Sequence, residues 1–164
     1  MTLSEFLETD ERHFVALEYY WLILNRTYLV LLANQEIIGL KVGGAIAVEA
    51  GRDPLTRTIT SNLAVKGDLK NPYSYIKSSY AAKYLDTPLN SADILSLDKS
   101  NFAVPYREIQ QITFDPTSKW GMGVYPHTGK IYISTSAGKK IELIILGNQS
   151  IKQVYQRVVK AAKL

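Results

Sequence analysis

The stretch KIYISTSAGKKIELIILGNQSIKQVYQRVVKAAK, Lys130 to Lys163, decides the fold. Lys130–Thr135 and Lys140–Leu146 are short apolar-rich runs, and Ser136-Ala137-Gly138-Lys139 between them has the chemistry of a tight turn, so the pair reads as a β-hairpin. Beyond Gly147 the period changes from two to about 3.6. Ile151, Val154, Tyr155, Val158, Val159 and Ala162 fall on one helical stripe, while Lys152, Gln153, Gln156, Arg157, Lys160 and Lys163 take the opposite side. A hairpin that runs into an amphipathic helix needs a curved apolar sheet to receive that stripe.

Working back along the chain supplies the sheet. Ile109 to Phe114 alternates, Pro116-Thr117-Ser118 turns the chain, and Lys119 to Val124, interrupted by Gly121 and Gly123, is expected to be a bulged or strongly curved strand. Near the start, Val15, Leu17, Tyr19, Trp21 and Ile23 alternate with Phe14, Ala16, Glu18, Tyr20 and Leu22; Glu18 is the only charge, which leaves the expected solvent face apolar. Asn25-Arg26-Thr27 reads as the turn into Tyr28–Leu32, and Asn34-Gln35-Glu36 as the turn into Ile37–Val42. Connections this short impose antiparallel pairing. Thr2 to Arg12 reads as a short amphipathic helix, with Leu3, Phe6 and Leu7 on one face and Glu8 and Arg12 at pairing distance.

Residues 45–98 read as a long connection or insertion. Ala45–Glu49 and one or two pieces of 52–62 are candidate short strands. Asn71-Pro72 opens a helix that Asp86-Thr87-Pro88 closes, with Tyr73, Ile76, Tyr80 and Tyr84 on the docking face and Tyr75 pointing away. Ser91–Asp98 adds a helical turn or two.

The expected architecture is mainly β with some α: one domain over 1–164, an antiparallel barrel of about seven strands capped by a C-terminal helix, with an inserted helix near residues 72–85. A chain of 164 residues with 46% hydrophobic residues can bury such a core without staples, and the absence of cysteine removes disulfides, thiolate metal sites and thiol catalysis.

Phe102-Ala103-Val104-Pro105-Tyr106-Arg107-Glu108-Ile109-Gln110-Gln111-Ile112 resembles the way the chain leads into a barrel strand in the bacterial pleckstrin-homology-like (PH/GRAM-like) family, in the form apolar-x-Pro-Tyr-x-x-Ile-x-x-Ile. The two segments Gly129–Ile133 and Gly138–Leu143, together with the terminal helix, support the resemblance. It implies a barrel that binds lipids, peptides or protein partners. Members that read phosphoinositides carry several Lys and Arg around the first hairpin turn, where this chain offers Arg26 alone.

No catalytic, metal or cofactor motif stands out. His13 and His127 belong to no ligand or nucleophile pattern, and His127 in Pro126-His127-Thr128-Gly129 is expected in a hairpin loop. Gly121-Met122-Gly123 meets Pro126 at the third place of a dinucleotide loop, and Gly39, Gly43 and Gly44 lack the Lys-Ser or Lys-Thr of a phosphate loop. Charge is uneven, with net values of −4, +2 and +6 over residues 1–50, 51–100 and 101–164.

The function expected is non-catalytic: a binding or assembly module that recognises a protein partner or another copy of itself. A second reading is peripheral contact with anionic membrane lipid through Lys119, Trp120, Lys130, Lys139 and Lys140; a third is a small-ligand carrier or enzyme using the barrel mouth. Trp120 packed in the core with solvated lysines around it is the bland alternative for that cluster. Tyr73, Tyr75, Tyr80 and Tyr84 among Lys77 and Lys83 do not make a nucleic-acid platform, because no basic stripe accompanies them. Glu5, Glu8, Asp10 and Glu11 contradict a basic signal-peptide start, so the expected location is cytoplasmic, with the membrane surface as the variant the second reading adds.

Overall fold

The computed structural model describes residues 2–7, 10–21, 24–46, 67–89 and 92–164. Among the described residues seven strands form one antiparallel sheet: β1 (His13–Trp21), β2 (Leu24–Leu32), β3 (Glu36–Gly43), β4 (Phe102–Pro105), β5 (Ile109–Asp115), β6 (His127–Thr135) and β7 (Lys140–Leu146). Their order is β4-β3-β2-β1-β7-β6-β5, so the first and last thirds of the chain meet where β1 pairs with β7 at Ala16–Ile145 and Leu17–Ile144. The sheet curls into a half-barrel, and the helix Ile151–Ala162 lies in it. Ser150 caps that helix by accepting from the Gln153 N–H, Ile151, Val154 and Val158 are buried, and Tyr155 packs on Phe114 with ring centroids 4.7 Å apart.

Through the middle of the first three strands both sides are buried. Phe14, Ala16, Tyr28, Val30 and Ile37 face the terminal helix and the inner residues of β5–β7. Val15, Leu17, Leu29, Leu31, Ile38 and Leu40 face outward into a second core. The expected apolar solvent face of β1 is therefore corrected: Phe14 and Ala16 are as buried as Val15 and Leu17, because one side is filled by the terminal helix and the other by the chain's own insertion. Strands β5–β7 keep a polar outer side, where Gln111, Thr113, Lys130 and Glu142 lie.

The insertion covers the outer face. The expected continuous helix is broken into a 3-10 turn at Pro72–Tyr75, a short helix at Ser78–Ala81 and a 3-10 turn at Ala82–Tyr84. The break has a cause: Ile76 and Lys77 are extended, and the Lys77 N–H donates to Val42 O at 2.9 Å, docking the segment on the end of β3. This rotates the tyrosines relative to an ideal helix. Tyr75 is buried and Tyr73 is exposed, the reverse of the expectation. Asn71 does cap the first turn, accepting from the Tyr73 N–H at 3.0 Å. Tyr84 donates to Lys41 O, and Asp98 takes Lys41 and Lys83 at 3.6 and 3.8 Å, fastening the rest of the insertion to β3.

Four other expectations change. The amino-terminal helix covers Leu3–Leu7 only, followed by a 3-10 turn at Asp10–Arg12; Glu8 lies outside the described residues. Asn25, Arg26 and Thr27 belong to β2, where Asn25 clamps the backbone of Ile46 through both ends of its amide. Lys119–Val124 is not a strand: its glycines make turns, and Phe102–Pro105 supplies β4 in its place in the count. His127 opens β6 instead of standing in a loop. Residues 44–46 are irregular, and the remaining candidate strands of 47–62 lie outside the described residues.

Candidate functional site

The connection between β5 and β6 carries the most unusual side chain. Gly121 (φ +87°) and Gly123 (φ +58°) adopt left-handed backbone that L side chains rarely adopt, and the turns they permit swing alternate side chains to opposite sides. Met122 and Tyr125 go inward to the outer core, against Tyr19 and the insertion: the Tyr19 hydroxyl donates to Gly121 O at 3.3 Å, and the Tyr125 ring meets Tyr75 edge-on at 6.1 Å. Trp120 and Val124 go outward, 94% and 68% exposed. The core position considered for Trp120 is thus corrected. Among the described residues nothing packs over an indole that an interior or an interface would bury.

The base of this loop is pinned by charge. Lys119 reaches Glu142 of β7 at 2.6 Å. Asp115 and Lys130, directly opposite in the β5–β6 register, pair at 2.8 Å, with the lysine side chain only 9% exposed. Thr117 donates its backbone N–H and its hydroxyl to the same Asp115 oxygen at 2.8 and 2.6 Å. The hydrogen bond from Lys130, followed by those from Thr117, holds the Asp115 carboxyl well below the usual carboxylate range, and the same contact raises the Lys130 ammonium. His127 is also engaged: its Nε2 accepts the Lys119 N–H at 2.9 Å while Nδ1 lies 3.0 Å from Tyr125 O. One tautomer, with the proton on Nδ1, satisfies both contacts.

The five expected surface residues are not all free. Lys119 and Lys130 are ion-paired at the base of the loop that carries Trp120, while Lys139 and Lys140 stand at the β6–β7 turn, where Lys140 is opposite Ser134, four residues or roughly 13 Å along β6 from Lys130, and two residues from Glu142, the partner of Lys119. There Lys139 lies over the Phe102 ring of β4, 5.5 Å from its centroid, and Lys140 is exposed. Arg26, the lone cation expected at the first hairpin turn, is inside β2, 3.5 Å from Glu18 and stacked 3.9 Å over the Tyr20 ring. The Asp115–Lys130 pair is not legible in the sequence: a loop over 116–126 sets Asp115 opposite His127, whereas β6 begins three residues before the end of the β5 ladder and Lys130 takes that place. The sequence leaves Trp120 open between a surface and a core position, and its one signal of exposure is the pair Gly121 and Gly123 that bends the chain.

Concavities elsewhere include a groove of about 350 Å³ between His13, Tyr73, Gln149 and Arg157, and open grooves around the β2–β3 turn. One of about 520 Å³ is lined by Phe6, Arg12, Asn34, Glu36, Ile38 and Leu89, and one of about 380 Å³ lies between that turn and the last turns of the terminal helix. Among the described residues no group of three or more His, Cys, Asp or Glu is placed to hold a metal ion, and no helix is long and apolar enough to cross a membrane. No family model, no curated protein and no solved structure matches the chain.

Proposed function

We propose that this chain is a non-catalytic binding module, built on a pleckstrin-homology-like half-barrel in an intracellular setting, that recognises a protein partner or a second copy through the Trp120–Val124 loop. The exposed Trp120 carries the reading. Burying an indole against a partner releases on the order of 3–5 kcal/mol before ordering costs, and those costs are small here because Met122, Tyr125 and the Lys119–Glu142 pair already hold the loop. The tip from Trp120 to Pro126 carries no formal charge, which suits an apolar protein pocket better than an anionic surface.

The membrane reading draws on the same indole, but two of its four lysines are committed to Glu142 and Asp115, and Lys139 lies over the Phe102 ring. Engagement of both His127 nitrogens supports a structural role for that ring over catalysis at a barrel mouth.

A photo-crosslinking amino acid at position 120 in intact cells tests the proposal. A discrete protein adduct is expected, with light scattering over a range of concentrations deciding whether the partner is a second copy. Adducts confined to lipid, or none, would overturn it.

A further inference from the structure

We infer that the groove between the β2–β3 turn and the carboxyl end of the terminal helix is a binding site for a multiply charged oxyanion of the phosphate type. Two elements far apart in sequence deliver cations to it: Arg12 from the amino-terminal turn, and Arg157, Lys160 and Lys163 from the helix, facing Glu11 as the single carboxylate among the groove's described lining residues. At about 380 Å³ it has room for a small polyphosphate or a phosphorylated headgroup.

The arginines are held ready. Arg12 donates to Asn34 Oδ1 at 2.8 Å and to Leu32 O at 3.4 Å, with its guanidinium 4.6 Å over the Phe6 ring. Arg157 donates to His13 O at 3.3 Å. Guanidinium groups fixed this way lose little freedom when they meet an oxyanion, and their forked donors match its geometry.

The helix itself carries the second argument. No Asp or Glu follows Glu142, so Arg157 and Lys160, three residues apart on the helix, are like charges with no intrahelical relief, and Lys163, the C-cap in left-handed backbone, adds a third cation to the groove. The Arg157–Lys160 pair is destabilising by a few tenths of a kcal/mol. The helix dipole compensates Lys160 and Lys163 in part, yet it gives no reason for Arg12 to converge on the same groove. An anion seated there adds counter-charge that the lining, with Glu11 as its one described carboxylate, supplies only in part. This groove is separate from the Trp120 loop, and its test is independent of the function proposed above.

Titration calorimetry with sodium tripolyphosphate at low salt, and co-sedimentation with phosphatidylcholine vesicles with or without phosphatidylserine, are run on the wild type and two double variants. Lys160→Gln/Lys163→Gln removes exposed groove cations, and Lys139→Gln/Lys140→Gln removes the same charge elsewhere. Losing two charge-assisted contacts at a solvent-facing rim is expected to weaken tripolyphosphate binding by about ten-fold or more in the helix variant and little in the hairpin variant. Binding of vesicles as well, with the same dependence, identifies a lipid headgroup as the source; tripolyphosphate alone identifies a soluble anion. No binding of either probe, or equal loss in both variants, overturns the site.

Discussion

The side-chain amide of Gln149 pairs with the backbone of Val15 as a strand would: Oε1 accepts the Val15 N–H at 2.9 Å and Nε2 donates to Val15 O at 2.7 Å. Nε2 also reaches Leu146 O at 2.7 Å, so one carboxamide closes the ladder where β7 ends and β1 continues. Replacing Gln149 with Ala leaves both polar groups of fully buried Val15 without this partner, at about 1–3 kcal/mol for each orphaned group. A loss of about 2–4 kcal/mol by denaturant titration is expected. Gln149→Glu should do no better, since its carboxylate would face the two carbonyls that the amide now serves.

Acid sensitivity should concentrate at Asp115. Its folded pKa lies below the unfolded value of about 3.9, so its contribution is complete above that pH and is lost as pH falls toward the folded value. Carboxyl-carbon NMR titration should find Asp115 still ionised when other carboxylates have protonated. In Lys130→Met its midpoint should move upward, because the largest cause of the depression is gone.

Tyr75 ties the insertion to the outer core, and burial pushes its hydroxyl up to about 12. Its contribution is present below pH 10 and declines as pH rises from the unfolded value near 10 through the folded one. Ultraviolet difference titration should show this phenol ionising after the exposed tyrosines. Tyr75→Ala should cost about 3 kcal/mol or more, by analogy with other buried aromatic truncations, and should increase dye binding by uncovering the outer face of β1–β3.

Trp120→Ala separates binding from folding. Because the indole packs on nothing described, thermal stability should stay within about 0.5 kcal/mol of wild type. Affinity for the partner should fall by about 2 kcal/mol or more, as for an aromatic anchor. Loss of stability in step with loss of binding would show that the indole is part of the fold.

Local pattern made much of this architecture legible. The β6–β7 hairpin and the terminal helix announce themselves because their turn and their period of 3.6 lie within a few residues of sequence. What escaped depends on distant partners. Tyr73 and Tyr75 exchanged roles because Lys77 peels away to bond Val42, an event that helical spacing cannot encode. Lys119 and Lys130 looked like free cations until Glu142 and Asp115 were brought beside them. The apolar second face of β1 read as a solvent face because the residues that cover it, Tyr75, Tyr84 and Leu89, lie more than fifty residues beyond the end of the strand. Trp120 follows the same rule: two glycines aim it outward, and aim is a property of backbone angles.

Strands β1 and β2 lie between two apolar layers, one supplied by the carboxyl-terminal helix and one by the insertion. Stripping either layer still leaves the other in place, so partial opening of one side does not release their amides. Deuterium should therefore enter Val15–Leu17 and Leu29–Leu31 last, at a rate set by whole-molecule unfolding, while the loop that bears Trp120 exchanges through local fluctuation alone.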